Sequence, residues 1–331
     1  EILIGLVGSE MCIRDRAANA SSNLYPAALF YLAGEIMKRN AKFKRSMEAV
    51  ALILPTVLIY TLVIAYPLLN MTYTSFFTWD GIPTSPYIFV GWENYHKFFT
   101  DIIALTSLKN VIIIMLVSVL GVIPIAFFLA TVISKRFFAN RVVKAVYFLP
   151  VIINKVAIGL MFTFILYPKV GPFVKLLEFF GLNSNVNVLG NMDTSIWVCA
   201  FVVLWCNTGL HMILFSAAMT SIPAEIYESA KIDGATPFQK LRYITLPLLK
   251  GTINMSAILL LTNAFRVFDL IAALTDGGPG YSSQVLTTLI YKNAFYYGEY
   301  GYADAIGVMT VIFSIIVMAV ANKLLPNKED I

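Results

Sequence analysis

"YESAKIDGATPFQKLRYITLP", residues 227–247, is the longest well-charged stretch between two strongly apolar segments of the chain. Pro223 suits the first turn of a helix and Glu225 favours its positive end, so a short helix is expected to start there and run through Glu228 and Ala230 to Asp233. Gly234 then supplies the positive-φ residue that commonly ends a helix. Thr236 and Pro237 read as the N-cap and first residue of a second short helix reaching Arg242, and Pro247 marks the start of the next apolar segment. A bent elbow of this kind is suited to docking in another protein's groove. The same charges also fit a solvated loop kept out of lipid.

The composition decides what the elbow hangs from. Of 331 residues, 59% are hydrophobic and only 13% charged, with a mean hydropathy of +0.77. That is too apolar for an ordinary soluble surface. A helix needs about 20 mostly apolar residues to cross the hydrocarbon core. Six segments qualify, near 49–69, 110–133, 146–167, 196–220, 251–273 and 304–325. The expected fold is therefore all-α and polytopic, with six transmembrane helices. Pro55, Pro67, Pro124 and Pro150 fall inside them, which is tolerable where packed neighbours satisfy the freed backbone groups.

Fifteen Lys and Arg residues lie in 38–48, 134–145, 221–250 and the C-terminal tail, against five in the alternate loops: Lys97, Lys109, Lys169, Lys175 and Lys292. This asymmetry puts both termini and the elbow on the cytoplasmic face. It also spends the net charge of +5 on topology and lipid rather than on nucleic acid. The organisation read from this is a leader, 1–48, a membrane domain, 49–325, containing the cytoplasmic loop 221–250, and a tail, 326–331. Within the leader, "EILIGLVGSEMCIRDR" (1–16) is too short to span and lacks the basic front of a secretory signal. It resembles adapter read-through in a gene assembly, or else belongs to a cytoplasmic segment. Residues 24–37 are apolar but too few to cross, as an interfacial or packed helix would be.

Ionisable residues inside spans are costly and usually face the bundle interior. Asn154 and Lys155 on the third span, and Arg266 and Asp269 on the fifth, are the candidates to line a polar path. Arg266 and Asp269, three apart, can instead pair on one helix, while Lys155 snorkels or binds helix carbonyls. His211 lies in the inner half of the fourth span, and Trp79, Trp92, Tyr167 and Tyr291 read as interfacial anchors. Cys199 and Cys206 sit seven residues apart, about 10.5 Å along a helix, too far for a disulfide. No metal-ligand spacing, phosphate-binding loop or nucleophile motif occurs, so ATP has to be hydrolysed elsewhere if it is used at all.

Two motifs carry a resemblance. Glu228-Ser229-Ala230, three residues, Gly234, nine residues, then Ile244-Thr245-Leu246-Pro247 resembles the EAA loop of bacterial ABC importer permeases, with Ser229 where Ala is usual. "FDLIAALTDGGPGYSSQVLTTLIYKNAF" (268–295), followed by Gly301-Tyr302-Ala303, is similar to segments of the carbohydrate-uptake permeases of the maltose and glycerol-phosphate type; Asp276 and Asp304 depart from the usual small residues. The resemblance implies that 223–234 form a coupling helix seated in a nucleotide-binding subunit, with Glu228 and Gly234 as its signature and Asp233, Ile244, Leu246 and Pro247 within the motif. It implies that Gly277, Gly278 and Pro279, an outer turn with accessible backbone groups, face the receptor or the second permease. The bland alternative is a tight return loop. The partners implied are a second permease subunit, a cytoplasmic ATPase dimer holding ATP and Mg, an extracytoplasmic solute-binding protein and membrane lipid, in a bacterial inner membrane. The chain itself needs no cofactor. Two other classes stay open on residues alone: an ion-coupled secondary transporter relaying through Lys155, Asp269 or His211, and a membrane enzyme built around Glu228 and Asp233.

Overall fold

The computed structural model describes Met47, 49–134, 140–181 and 187–325. The rest of the expected leader, Lys135, Arg136 and the tail 326–331 lie outside the described residues. The chain divides into two units, 1–69 and 70–331. In the first, the described residues from 49 onward form the front of helix α1 (Ala49–Thr74), a candidate span that continues five residues past its expected end.

In the second unit a short antiparallel hairpin, β1 (Phe77–Thr78) paired with β2 (Ile88–Phe89), leads to helix α2 (Glu93–Thr100). Asp80 lies in its turn, where the Ser85 hydroxyl and then the Ile82 N–H hold the carboxyl below its ordinary range. Helix α3 (Ile102–Ile133) begins eight residues before the expected 110. Asp101 caps it by accepting from the Ile103 N–H at 2.8 Å. The polar residues that hid this turn in the sequence are spoken for: Ser107 donates to the Ile103 carbonyl, and Asn110 donates to the Ser282 and Gln284 carbonyls at 2.8 Å each.

The third expected span is broken. α4 (Asn140–Ile152) and α5 (Lys155–Ile165) meet at 105°. Pro150 removes one ladder bond near the break, and Asn154 starts the second piece as its N-cap, accepting from the Val156 N–H at 2.8 Å. After α6 (Pro172–Phe179), α7 (Ser195–Thr220) is a single long helix with buried residues on every side, as a helix apolar all round should be. It packs against α3 and α4, and its Cys199 and Cys206 are both free and buried.

Helix α8 (Ala224–Ile232) and helix α9 (Pro237–Leu248) follow, the latter meeting α10 (Lys250–Ala264) at 65°. The expected fifth span, 251–273, therefore ends at Ala264, and α11 (Asp269–Leu274) is a separate piece packed on α5. Helix α12 (Leu286–Phe295) packs on α13 (Tyr300–Leu324), the last span, which starts four residues before its expected 304. Among the described residues four helices are long and apolar enough to cross a membrane, or up to six if each bent pair counts as one span.

Association of helices in lipid depends on close packing, because lipid tails are as apolar as leucine. Gly209 on α7 shows how close: a Cβ there would collide with the Tyr147 carbonyl oxygen of α4. Gly209→Val is expected to push α4 off α7 and lower stability by about 1–3 kcal/mol, read as a fall in melting temperature of the purified protein. Gly251→Ala, with nothing within 4 Å of the added methyl, is expected to leave the melting temperature unchanged or raise it slightly.

Candidate functional site

The elbow is more tightly specified than its charge alone indicates. α8 has Pro223 as its N-cap, one position outside the helix rather than in its first turn. Its far end is a complete glycine cap: the Gly234 N–H donates to the Lys231 carbonyl at 3.2 Å and the Ala235 N–H to the Ala230 carbonyl at 2.9 Å. Gly234 holds φ at +76°, the left-handed region that a side chain strains. Thr236 then opens α9 with a capping box. Its hydroxyl accepts from the Gln239 N–H at 3.3 Å, and Gln239 Oε1 accepts from the Thr236 N–H at 2.7 Å. α9 runs past the expected Arg242 to Leu248, because a π-helical turn at Leu241–Thr245 carries the helix through to Pro247. The two helices are tied by Tyr227, whose hydroxyl meets Thr245 Oγ1 at 3.0 Å and whose carbonyl accepts from Lys240 Nζ at 3.2 Å.

Within the motif, Ala230 is buried and Ile244 half-buried, while Glu228, Ser229, Asp233, Gly234, Leu246 and Pro247 are exposed. A small residue at 230 is thus a packing requirement, and Ser229 in place of Ala changes an outward-facing position. The tip is not simply hydrophilic. Ile232 is 87% exposed and Phe238 67%, which a loop merely solvated at a membrane surface does not require.

A second constellation lies between the broken helices. Lys155, Asn207, Asn263, Arg266 and Asp269 line one cavity of about 160 Å³ together with Cys206 and Phe268. Three of the four residues expected on a polar path meet there, whereas Asn154 spends its side chain on the α5 cap. Lys155 Nζ donates to the Pro150 carbonyl at 3.0 Å, so the lysine satisfies a group freed at the break. The alternative arrangement, Arg266 and Asp269 paired on one helix, is not formed. The helix has ended at Ala264, before Arg266, and the next begins only at Asp269; the ion pairs among the described residues are Lys97–Glu299 and Lys292–Asp276. The intervening link is held by Thr287, whose hydroxyl donates to the Val267 carbonyl at 2.6 Å. His211 is fully buried on α7 with neither ring nitrogen hydrogen-bonded to a described residue, away from this lining.

The turn at Gly277–Pro279, expected to leave its backbone groups accessible, largely uses its carbonyls internally. The Gly277 carbonyl accepts from the Ser283 N–H at 3.3 Å, the Gly278 carbonyl from the Ser283 hydroxyl at 2.7 Å, and the Pro279 carbonyl from the Tyr281 N–H at 3.0 Å. Asp276 takes φ +48°, a backbone state in which glycine is unstrained and aspartate is tolerated. Lys292 secures it, at 2.6 Å from its carbonyl and 3.3 Å from its carboxylate. Asp304 accepts from the Thr74 hydroxyl. Sequence reasoning missed a further polar cavity of about 400 Å³ lined by Trp79, Glu93, His96, Lys97, Thr100 and Glu299. Its residues come from α2, the hairpin and the start of α13, too scattered for a spacing to reveal. The Lys97–Glu299 ion pair, 2.5 Å long, closes one wall.

Comparison with known proteins agrees with this architecture. Residues 122–329 match the family described as binding-protein-dependent transport system inner membrane component. The chain is 32% identical, over 80% of its length and 91% of the relative's, to the probable ABC transporter permease protein YurN of Bacillus subtilis (strain 168). It is 31% identical, over 83% of its length and 92% of the relative's, to the multiple sugar-binding transport system permease protein MsmF of Streptococcus mutans. In fold it resembles a chain from the crystal structure of a bacterial ABC transporter that imports alginate, with a TM-score of 0.75 at 24% identity, over 87% of this chain and 98% of that one. A multi-span helical bundle and a match across most of the chain make it a member of the binding-protein-dependent transport system inner membrane component family, the membrane-embedded permeases of ABC transporters.

Proposed function

We propose that this permease forms part of the path by which a sugar or related polyol or glycerol phosphate enters the cell, and that residues 221–250 couple it to a separate ATPase dimer. One observation carries the coupling. A short helix ends in a full glycine cap and turns into a second, box-capped helix that runs unbroken to the foot of α10, so force applied at Glu228–Gly234 is delivered to a span. The exposed Ile232 and Phe238 at its tip give a protein partner an apolar surface to bury. The basic residues of the elbow support a cytoplasmic position, with both termini on the same side.

The transport path is read from the breaks. α4 has 13 residues and α10 has 15, about 20 and 22 Å of rise, so both interruptions fall at a similar distance from the cytoplasmic ends of their helices. Transporters place solute sites where discontinuous helices meet inside the membrane, and the cavity lined by Lys155, Arg266 and Asp269 lies at these two breaks. Relatives support the solute class: one is named for multiple sugars, another for trehalose and maltose in Thermococcus litoralis. Gly277, Gly278 and Pro279 would shape the face offered to a solute-binding protein or second permease. A second permease completes the bundle, since the family works with its ATPase in separate partners.

Gly234→Pro or Glu228→Lys is expected to abolish ATP-driven uptake while the bundle remains inserted, checked by uptake in proteoliposomes and protease accessibility of the loops. Normal uptake by both variants would rule out coupling through this elbow. Thr236→Ala removes one half of the capping box, at a cost of about 1 kcal/mol. It should raise amide hydrogen exchange in the first turn of α9 by roughly fivefold, and leave α7 unaffected.

A further inference from the structure

The cavity between the broken helices carries more charge than a neutral sugar calls for. Asn207 and Asn263 offer amides suited to hydroxyl groups, but the same wall holds Lys155, Arg266 and Asp269, one positive charge in excess. Lys155 is already engaged by the Pro150 carbonyl. Arg266 is not: its guanidinium makes no ion pair or hydrogen bond with any described residue, and its side chain is exposed to the cavity. Its backbone is fixed, with the N–H donating to the Asn263 carbonyl at 3.0 Å and the link behind it held by Thr287. A guanidinium keeps its charge at any physiological pH and presents a planar fork of donors matched to two oxygens of one anionic group. Within a span such a group is retained where it meets a counter-charge or a hydrated path.

We infer that the solute crossing this cavity is a carbohydrate bearing an anionic group, a carboxylate, phosphate or sulfonate, received by the Arg266 fork while Asn207 and Asn263 bind hydroxyls. The inference rests on the transport reading and adds a charge requirement to it. Arg266 is the residue that sets it, and Lys155 contributes a second positive field from the facing break. The other source of a counter-charge is a carboxylate of the second permease subunit, which the test separates from a solute.

In proteoliposomes containing the complete transporter and its solute-binding protein, ATP-driven uptake of cellobiouronic acid is expected to exceed that of cellobiose by about tenfold or more in kcat/KM. Arg266→Lys should keep part of the preference and Arg266→Gln should remove it. Equal or faster uptake of cellobiose, or a preference that survives in Arg266→Gln, overturns the charge requirement and leaves the transport reading standing. Uptake of neither these two nor their mono- and trisaccharide counterparts counts against both. Thiol labelling then isolates the source. At Asn263→Cys in the assembled complex, with the native cysteines replaced, an anionic methanethiosulfonate should react about tenfold faster than a cationic one after correction for free-thiol rates, and Arg266→Gln should erase the difference. Equal rates, or no reaction, would mean that a protein carboxylate already neutralises the guanidinium, and the inference falls.

Discussion

Inside hydrocarbon every backbone N–H and C=O must find a partner within the protein, since an orphaned group costs several kcal/mol. This constraint makes the two interrupted helices the features on which the rest of the structure depends. At the first break, Asn154 caps the new helix and Lys155 takes up the Pro150 carbonyl. Near the second, the Val267 carbonyl is taken by Thr287. Of the side chains that satisfy the breaks, Lys155 also walls the cavity, so one residue that makes an interruption tolerable also gives it polar character.

The elbow and the cavity are joined by two successive helices. α9 leaves the glycine turn, carries its π-helical stretch through Pro247 and hands over to α10 at a 65° bend; α10 ends two residues before Arg266. A partner that binds the elbow differently in its two nucleotide states can bias that chain of contacts, and only by as much as the difference in affinity. α7 is closely packed against α4 at Gly209.

The local chemistry of the elbow was legible in the sequence because it rests on near-neighbour rules: Gly234 as a left-handed cap, Thr236 and Pro237 as a helix start, and the position of the motif between apolar runs. α9 outran its expected end because no spacing rule anticipates a π-helical turn before Pro247. Hydropathy marked the apolar segments but not the interruptions of the third and fifth. A window that averages 146–167 cannot register a 105° turn made by one proline and one capping asparagine, and one over 251–273 cannot register the loss of helix after Ala264 that leaves Arg266 and Asp269 unpaired. At 277–279, glycine and proline mark a turn without saying where its carbonyls go, and here Ser283 takes two of them. Asp276, an apparent departure from pattern, becomes intelligible only with its φ of +48° and Lys292 beside it.

The central claim is that the elbow is gripped by a separate ATPase and moves with it. A photo-crosslinking side chain at Ile232, the most exposed apolar residue of the elbow, tests this in native membranes. An adduct with the nucleotide-binding subunit, its yield changing when ATP replaces ADP, is expected. An adduct with lipid alone, or labelling of this position from the outer face, would contradict it.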